Sequence, residues 1–102
     1  MVEAFMRDSA GFRDNVERHR FELTENELTA FADYRRNGSE LAILQVESPL
    51  PLRGKGTAGR LMHGIASHAR NHRLTVVPLC GYARTWPRRH RDWSDLLPAG
   101  SF

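Results

Sequence analysis

The chain has 102 residues, enough for one domain and short of two, and its 40% hydrophobic and 26% charged content suits a soluble globular domain. Lys and Arg number 15 against 12 Asp and Glu, so the net charge of +3 is too mild to point to nucleic acid by itself, and no apolar run approaches the ~18–20 residues that cross a bilayer. Met1 to Asp8 lacks the apolar core and small-residue cleavage site of a secretory signal, and Cys80 alone excludes an internal disulfide or a multi-thiolate metal site, so a cytoplasmic protein without metal is expected.

Residues 1–14 show no clear period and include Gly11, and are read as an irregular start. Val16 to Leu23 alternates weakly, with Phe21 and Leu23 on one face, as a strand does. Glu25-Asn26 follows as a tight turn. Leu28 to Arg36 alternates better, since Leu28, Ala30, Ala32 and Tyr34 share one face. Asn37-Gly38 is the strongest short hairpin signal in the chain. From Glu40 to Ser48 the run Leu41-Ala42-Ile43-Leu44-Gln45-Val46 is nearly all apolar and suits a central strand covered on both faces. Pro49 and Pro51 end it, because proline cannot donate to a ladder.

Leu52-Arg53-Gly54-Lys55-Gly56-Thr57-Ala58-Gly59-Arg60-Leu61 comes next. From about Thr57 to His72, Ala58, Leu61, Met62, Ile65, Ala66 and Ala69 recur at three- and four-residue spacing, which predicts an amphipathic helix. Leu74 to Leu79 is a short buried strand, parallel to its neighbour through a right-handed crossover. A shorter helix covers about Tyr82 to His90, with Pro87 kinking or shortening it. Trp93 to Leu97 packs the end. The fold class is α/β (α+β): a mixed four-stranded sheet, three strands antiparallel and one parallel, within one domain over residues 1–102 and a core at about 16–97.

The glycine-rich stretch stands where a strand gives way to a helix. A helix N-terminus there presents unpaired N–H groups and partial positive charge, and glycine removes the Cβ that would hold an anion away. The direct reading is a pyrophosphate cradle for a nucleotide-bearing cofactor; the alternative is a helix start with tight helix–strand packing. The cluster Arg84, Arg88, Arg89, His90 and Arg91, with Trp86 among them, leaves three readings open. It is a solvated helix face with arginines near its C-terminus, a patch for a cofactor phosphate, or an RNA surface. His68 and His72 have the i, i+4 spacing of metal ligands, without an evident third.

Arg53-Gly54-Lys55-Gly56-Thr57-Ala58 fits the (Gln/Arg)-x-x-Gly-x-(Gly/Ala) signature of the GCN5-related N-acetyltransferases, whose turn binds the acetyl-CoA pyrophosphate. Glu47 and Pro49 before the turn, the long helix, Val77-Pro78-Leu79-Cys80-Gly81-Tyr82 and the tail from His90 to Leu96 resemble the small YjdJ-type branch of that superfamily. The likeness covers roughly residues 19–97. It implies a reduced acetyltransferase fold, with a long helix after the pyrophosphate turn and a shorter C-terminal one. The pair of helices that usually shapes the acceptor site is missing between the first two strands. Two departures stand out. The branch has His-Thr-Glu-Val-Pro where this chain has Gln45-Val46-Glu47-Ser48-Pro49, and glutamine cannot act as a general base. The branch also has Cys-Pro-Tyr where this chain has Cys80-Gly81-Tyr82.

The resemblance implies these roles. Leu52, Arg53, Gly54, Lys55, Gly56, Thr57, Ala58 and Arg60 bind acetyl-CoA, the backbone holding the pyrophosphate and Arg53, Lys55 or Arg60 adding charge. Glu47, at the end of its strand, accepts the amine proton, or is a strand-end acid beside an arginine. Cys80 stands at the end of the last strand, just before a helix; it is an acyl acceptor, a donor to the CoA sulfur, or a wall residue. Tyr82 protonates the departing thiolate, or is a packed aromatic. His90 is an acid or base, or caps its helix. The expected activity is acetyl transfer from acetyl-CoA to an unidentified amine, without metal or membrane. The alternatives are a CoA-binding module with little catalysis and, more remotely, a small RNA-binding protein.

Overall fold

Alternation at period two, broken by two tight turns, builds the first half of the sheet. The computed structural model describes residues 11–98; residues 1–10 of the expected irregular start, and residues 99–102, lie outside the described residues. The strands are β1 (Phe12–Asn15), β2 (Arg20–Glu25), β3 (Leu28–Asn37), β4 (Glu40–Glu47) and β5 (Thr75–Pro78). The helices are α1 (Thr57–Asn71) and α2 (Gly81–Arg89), followed by a 3-10 stretch at Arg91–Leu96. Among the described residues no helix is long and apolar enough to cross a membrane.

The sheet is mixed as expected, but it has five strands in the order β1-β2-β3-β4-β5 rather than four. The additional strand is β1, which pairs antiparallel with β2 from Phe12↔Leu23 to Asn15↔Arg20. It lies in the stretch read as irregular, because non-local contacts hold it. Phe12 stacks on Phe21 at 5.9 Å, and the Tyr34 hydroxyl donates to Asp14 Oδ1 at 2.6 Å. Burial and that carboxylate push the Tyr34 phenol up to about 12. Val16–Arg18, expected to start a strand, is a 3-10 turn capped by the Asn15 side chain.

Both hairpin turns fall one residue later than expected. Glu25 pairs with Leu28, so the turn residues are Asn26 and Glu27, both at positive φ as a type I′ turn requires. Asn37 pairs with Glu40, so Gly38 and Ser39 make the second turn. Register follows burial rather than the turn residues alone: Ala30, Ala32 and Tyr34 face the same side as Leu41 and Ile43 and are all buried.

Helix α1 lays Leu61, Met62, Ile65, Ala66 and Ala69 on that face, all buried as the spacing predicts. Ala83 and Trp86 of α2, with Leu96, join the same cluster. The other sheet face is exposed or half-exposed apart from Glu22. The apolar run of β4 is therefore covered on one face only: Leu41 and Ile43 are buried, while Ala42 and Leu44 are half-buried. Leu44 has no partner on β3, since pairing steps from Tyr34↔Ile43 to Asp33↔Gln45. That bulge lets both Ile43 and Val46 face the core. Pro87 lies inside α2, which ends two residues later at Arg89.

Gly64 of α1 admits the Phe12 ring, since a Cβ there would sit 2.6 Å from two of its carbons. Alanine normally stabilises a helix interior by about 1 kcal/mol over glycine. Here Gly64→Ala is expected to lose about 1–3 kcal/mol to overpacking. In a Phe12→Ala background the same change is expected to regain its stabilising sign. Urea denaturation of the four proteins in that cycle measures both.

Candidate functional site

The stretch between β4 and α1 is a short 3-10 turn, Leu50–Leu52, followed by two glycines at positive φ, Gly54 at +79° and Gly56 at +81°. Few side-chain-bearing residues adopt that conformation. Arg53 N–H donates to the Leu50 carbonyl at 3.1 Å and Lys55 N–H to Leu52 at 3.2 Å, so the turn folds upon itself over the buried Leu52 side chain. Gly56 is the N-cap of α1 and supplies no capping side chain. The first-turn N–H groups of Thr57, Ala58 and Gly59 are left without intrahelical partners. They border a cavity of about 230 Å3 lined by Ser48, Leu52, Arg53, Gly54, Gly56, Thr57, Ala58, Gly59 and Tyr82. Most of the expected cradle is thus brought together, with Tyr82 on its wall.

Lys55 and Arg60 are not among the residues lining that cavity. Arg60 is held behind the turn instead. Its Nε donates to Glu25 Oε2 at 2.7 Å, and its Nη2 donates to Glu25 Oε1 and to the Lys55 carbonyl, each at 2.9 Å. The Thr57 hydroxyl donates to Glu25 Oε1 at 2.7 Å, and Thr57 is buried. These bonds pin the start of α1 to the β2–β3 turn. They direct Arg60, expected to add charge to the cradle, onto Glu25, while its Nη1 stays beside Gly56. A larger cavity, about 490 Å3, lies on this flank of α1 with Arg60, Glu25, His63 and His68 in its wall. The Arg60 guanidinium in that wall is paired with Glu25.

On the other side of the turn, β4 outlasts β5. Their parallel pairing runs from Glu40↔Thr75 to Ile43↔Pro78, and the Leu79 N–H makes a last bond to the Ile43 carbonyl at 2.9 Å. Leu44 to Glu47 continue beside β3 with no β5 partner, so the two strands part there. Glu47 and Gln45 project from the face opposite α1. They line a second cavity of about 400 Å3 with Thr29, Phe31, Ser48, Pro49 and Arg53. Gln45 Nε2 donates to Glu47 Oε2 at 2.5 Å. The position that carries a histidine in the resembling branch therefore anchors the carboxylate beside it.

Cys80 is the N-cap of α2, and its sulfur accepts from the Ala83 N–H at 3.3 Å while the residue packs half-buried on the core. Tyr82 is 41% exposed. Burial of its phenol pushes the pKa up, and the Arg89 charge opposes this in part. A Cβ on Gly59 would lie 3.6 Å from the Tyr82 hydroxyl and 3.9 Å from Trp86 Nε1, so both groups overlook the first turn of α1. In the basic cluster, Arg84, Arg88 and Arg89 are exposed but Trp86 is buried and stacked on His90 at 4.2 Å. The indole is core rather than part of a basic surface, and His90 is the C-cap of α2. His68 and His72 stack on each other at 4.2 Å. No group of three potential metal-ligating side chains occurs among the described residues.

Two side-chain atoms bordering the cradle are buried without a hydrogen-bond partner among the described residues, Ser48 Oγ and Trp86 Nε1. Neither carries a sequence signal. The Glu25 clamp is likewise invisible in sequence, since it joins residues 35 apart.

The mixed sheet whose strands part beside an uncapped, glycine-opened helix N-terminus places the chain in the α+β class. A model of the GCN5-related N-acetyl-transferase family matches residues 20–96, and the chain belongs to that family. Its fold is similar to the solution NMR structure of a GCN5-like "putative N-acetyltransferase" from Staphylococcus aureus. That likeness has a TM-score of 0.62 and 20% sequence identity, over 85% of this chain and 86% of that one.

The hydrogen bonds from Arg60 and Thr57 lower the Glu25 carboxyl from 4.5 to about 2. Its folded-state value lies below its unfolded one, so the clamp contributes fully above about pH 4.5 and that contribution is lost as pH falls toward 2. Acid unfolding of Glu25→Gln is expected to lack this component. A carboxyl NMR titration of the wild type is expected to place the Glu25 midpoint near 2.

Proposed function

We propose that the chain is an acyl-CoA N-acyltransferase that moves acetyl from acetyl-CoA to an amine by direct attack. The observation that carries the reading is the meeting of two cavities. The glycine cradle and the Glu47 cavity share Ser48 and Arg53 in their walls, so the two sites adjoin at those residues. The groups present fit a pyrophosphate-bearing thioester: free N–H donors at Thr57 to Gly59 and cationic Arg53, all in the cavity wall. When bound, acetyl-CoA would supply the activated acetyl group.

The protein's own part follows from those positions. Gly54, Gly56, Thr57 and Ala58 hold the phosphates through their backbone, with Leu52 filling the space beneath the turn. Arg53 adds charge at the mouth, and Lys55, on the same turn, adds to the local positive potential. Glu47 takes the proton from the amine nitrogen as the new C–N bond forms, with Gln45 holding one carboxylate oxygen in place. Tyr82, kept protonated by its raised pKa, gives its hydroxyl proton to the sulfur as the C–S bond breaks. Cys80 is a wall residue in this scheme, because its sulfur caps α2. The acceptor is an amine of a small molecule or a protein, and the setting is the cytoplasm.

A second reading is a CoA-binding module with little catalysis. The Gln45–Glu47 hydrogen bond favours it by occupying an oxygen of the only carboxylate in that cavity. Release of CoA from acetyl-CoA across a panel of amines separates the two readings.

Thermal unfolding tests the cradle. At ~100 times its dissociation constant, acetyl-CoA or CoA should stabilise the protein by about 2.7 kcal/mol, a rise of several degrees in Tm, while ATP should not. Ala58→Glu is expected to abolish the shift without lowering the apo Tm, because an acid in the first turn favours the helix yet repels an anion. Gly56 is less suited to this test, since its φ of +81° strains any side chain. Tyr82→Phe is expected to lower kcat about 100-fold or more with acetyl-CoA affinity unchanged. An unchanged kcat would remove Tyr82 from the proton path.

A further inference from the structure

We infer that Arg89 binds a phosphate group of the acyl donor, a role that rests on the acyltransferase reading above. The cradle, at about 230 Å3, is smaller than the ~300–1,000 Å3 of most small-molecule sites. A donor whose phosphates sit on the first turn of α1 therefore extends past its walls. Arg60 is already paired with Glu25. Arg53 stands where the cradle adjoins the Glu47 cavity, with its Nε on the Ser48 carbonyl at 2.9 Å. Lys55 is outside the cavity wall, and α2 contributes only the neutral Tyr82 to that wall.

Helix α2 carries three exposed arginines, and its winding separates them. At about 100° per residue, Arg89 lies about 20° from Tyr82 around the helix axis, while Arg84 and Arg88 lie about 160° and about 120° from it. The Tyr82 side of α2 is the side turned to α1. The Tyr82 hydroxyl and Trp86 Nε1 overlook Gly59, and the Trp86 ring meets that of His63 at 6.3 Å. Arg89 continues this side along the groove between the helices, near enough for its charge to act on the Tyr82 phenol. It is exposed, so a ligand reaches it, and among the described residues it forms no ion pair. Because α2 leads away from the end of β5, Arg89 stands about 10 Å beyond Tyr82 on the side away from the parted strands. That position suits a phosphate rather than the thioester, which belongs at the parting. A cation in the last turn also favours the helix dipole, but Arg88 serves that equally from another side. CoA carries two sources of phosphate, its pyrophosphate and its 3′-phosphate.

The test is calorimetry on the intact chain with CoA and with 3′-dephospho-CoA. Arg89→Gln is expected to bind CoA about tenfold more weakly than wild type, and its CoA affinity should fall less steeply with added salt. Arg88→Gln removes a charge from the same turn on another side and is expected to keep wild-type affinity. The two variants should share one apo Tm. A loss seen with CoA but not with dephospho-CoA places the contact on the 3′-phosphate, and an equal loss with both places it on the pyrophosphate. CoA affinity unchanged by Arg89→Gln, or lowered as much by Arg88→Gln, overturns the assignment and leaves the acyltransferase reading standing. An Arg89→Gln protein whose apo Tm lies several degrees below that of Arg88→Gln also overturns it, by making the residue structural. Failure of wild type to bind CoA defeats the acyltransferase reading, and this inference falls with it.

Discussion

The parting of β4 and β5 is the constraint on which the rest of the structure depends. Pro78 has no N–H to donate, and the ladder closes with the Leu79 N–H on the Ile43 carbonyl. One residue later β4 bulges at Leu44. From that point the two strands lead to different places. β4 carries Gln45 and Glu47 along the exposed face and into the glycine turn. β5 turns at Cys80 into α2, which brings Tyr82 across to the first turn of α1. A parallel ladder that ran on to Glu47 would close the gap between these groups.

The start of α1 is held from behind so that its front stays open. Most helix N-termini satisfy their free N–H groups with a capping side chain. Here Gly56 provides none, and the anchoring is done by Thr57 and Arg60 on Glu25, on the opposite flank. Charge-assisted hydrogen bonds of this kind are among the stronger polar contacts in proteins. They fix the helix start without occupying its donors. At α2 the start is capped instead, the Cys80 thiol accepting the Ala83 N–H.

The open sheet face follows from the topology. Among the described residues, α1, α2 and the 3-10 stretch at Arg91–Leu96 pack on the side of Leu41, Ile43 and Val76. The face bearing Glu47, Phe31 and Asp33 stays exposed or half-exposed. On that face, the region around Glu47 is a cavity of about 400 Å3 with Phe31 in its wall. Arg20 lies over that ring at 3.9 Å and pairs with Asp33 at 3.3 Å. That cavity is walled by residues of β3 and β4 and of the turn that follows β4.

Local pattern alone determined a good deal about this protein. The stripe from Leu61 to Ala69, the alternation of β3, the crossover from β4 to β5 and the glycine turn are short-range features. Each follows from the 3.6 or 2.0 period or from the special freedom of glycine and proline. The family signature lies in the same stretch, which is why the glycine turn and helix start from Arg53 to Ala58 were legible. Tertiary structure decided what depends on residues far apart in the chain. Strand β1 exists because Phe12 fits against Gly64 and Asp14 meets Tyr34, contacts that no local period announces. Both hairpin turns moved by one residue because burial of Ala32, Tyr34 and Ile43 set the register. The apolar run of β4 looked buried on both faces, yet apolar residues line one covered face and one open one, and composition cannot distinguish the two. The direction of Arg60 and the isolation of the Ser48 hydroxyl arose the same way. Side chains choose partners by proximity in space, and only the folded chain sets those distances.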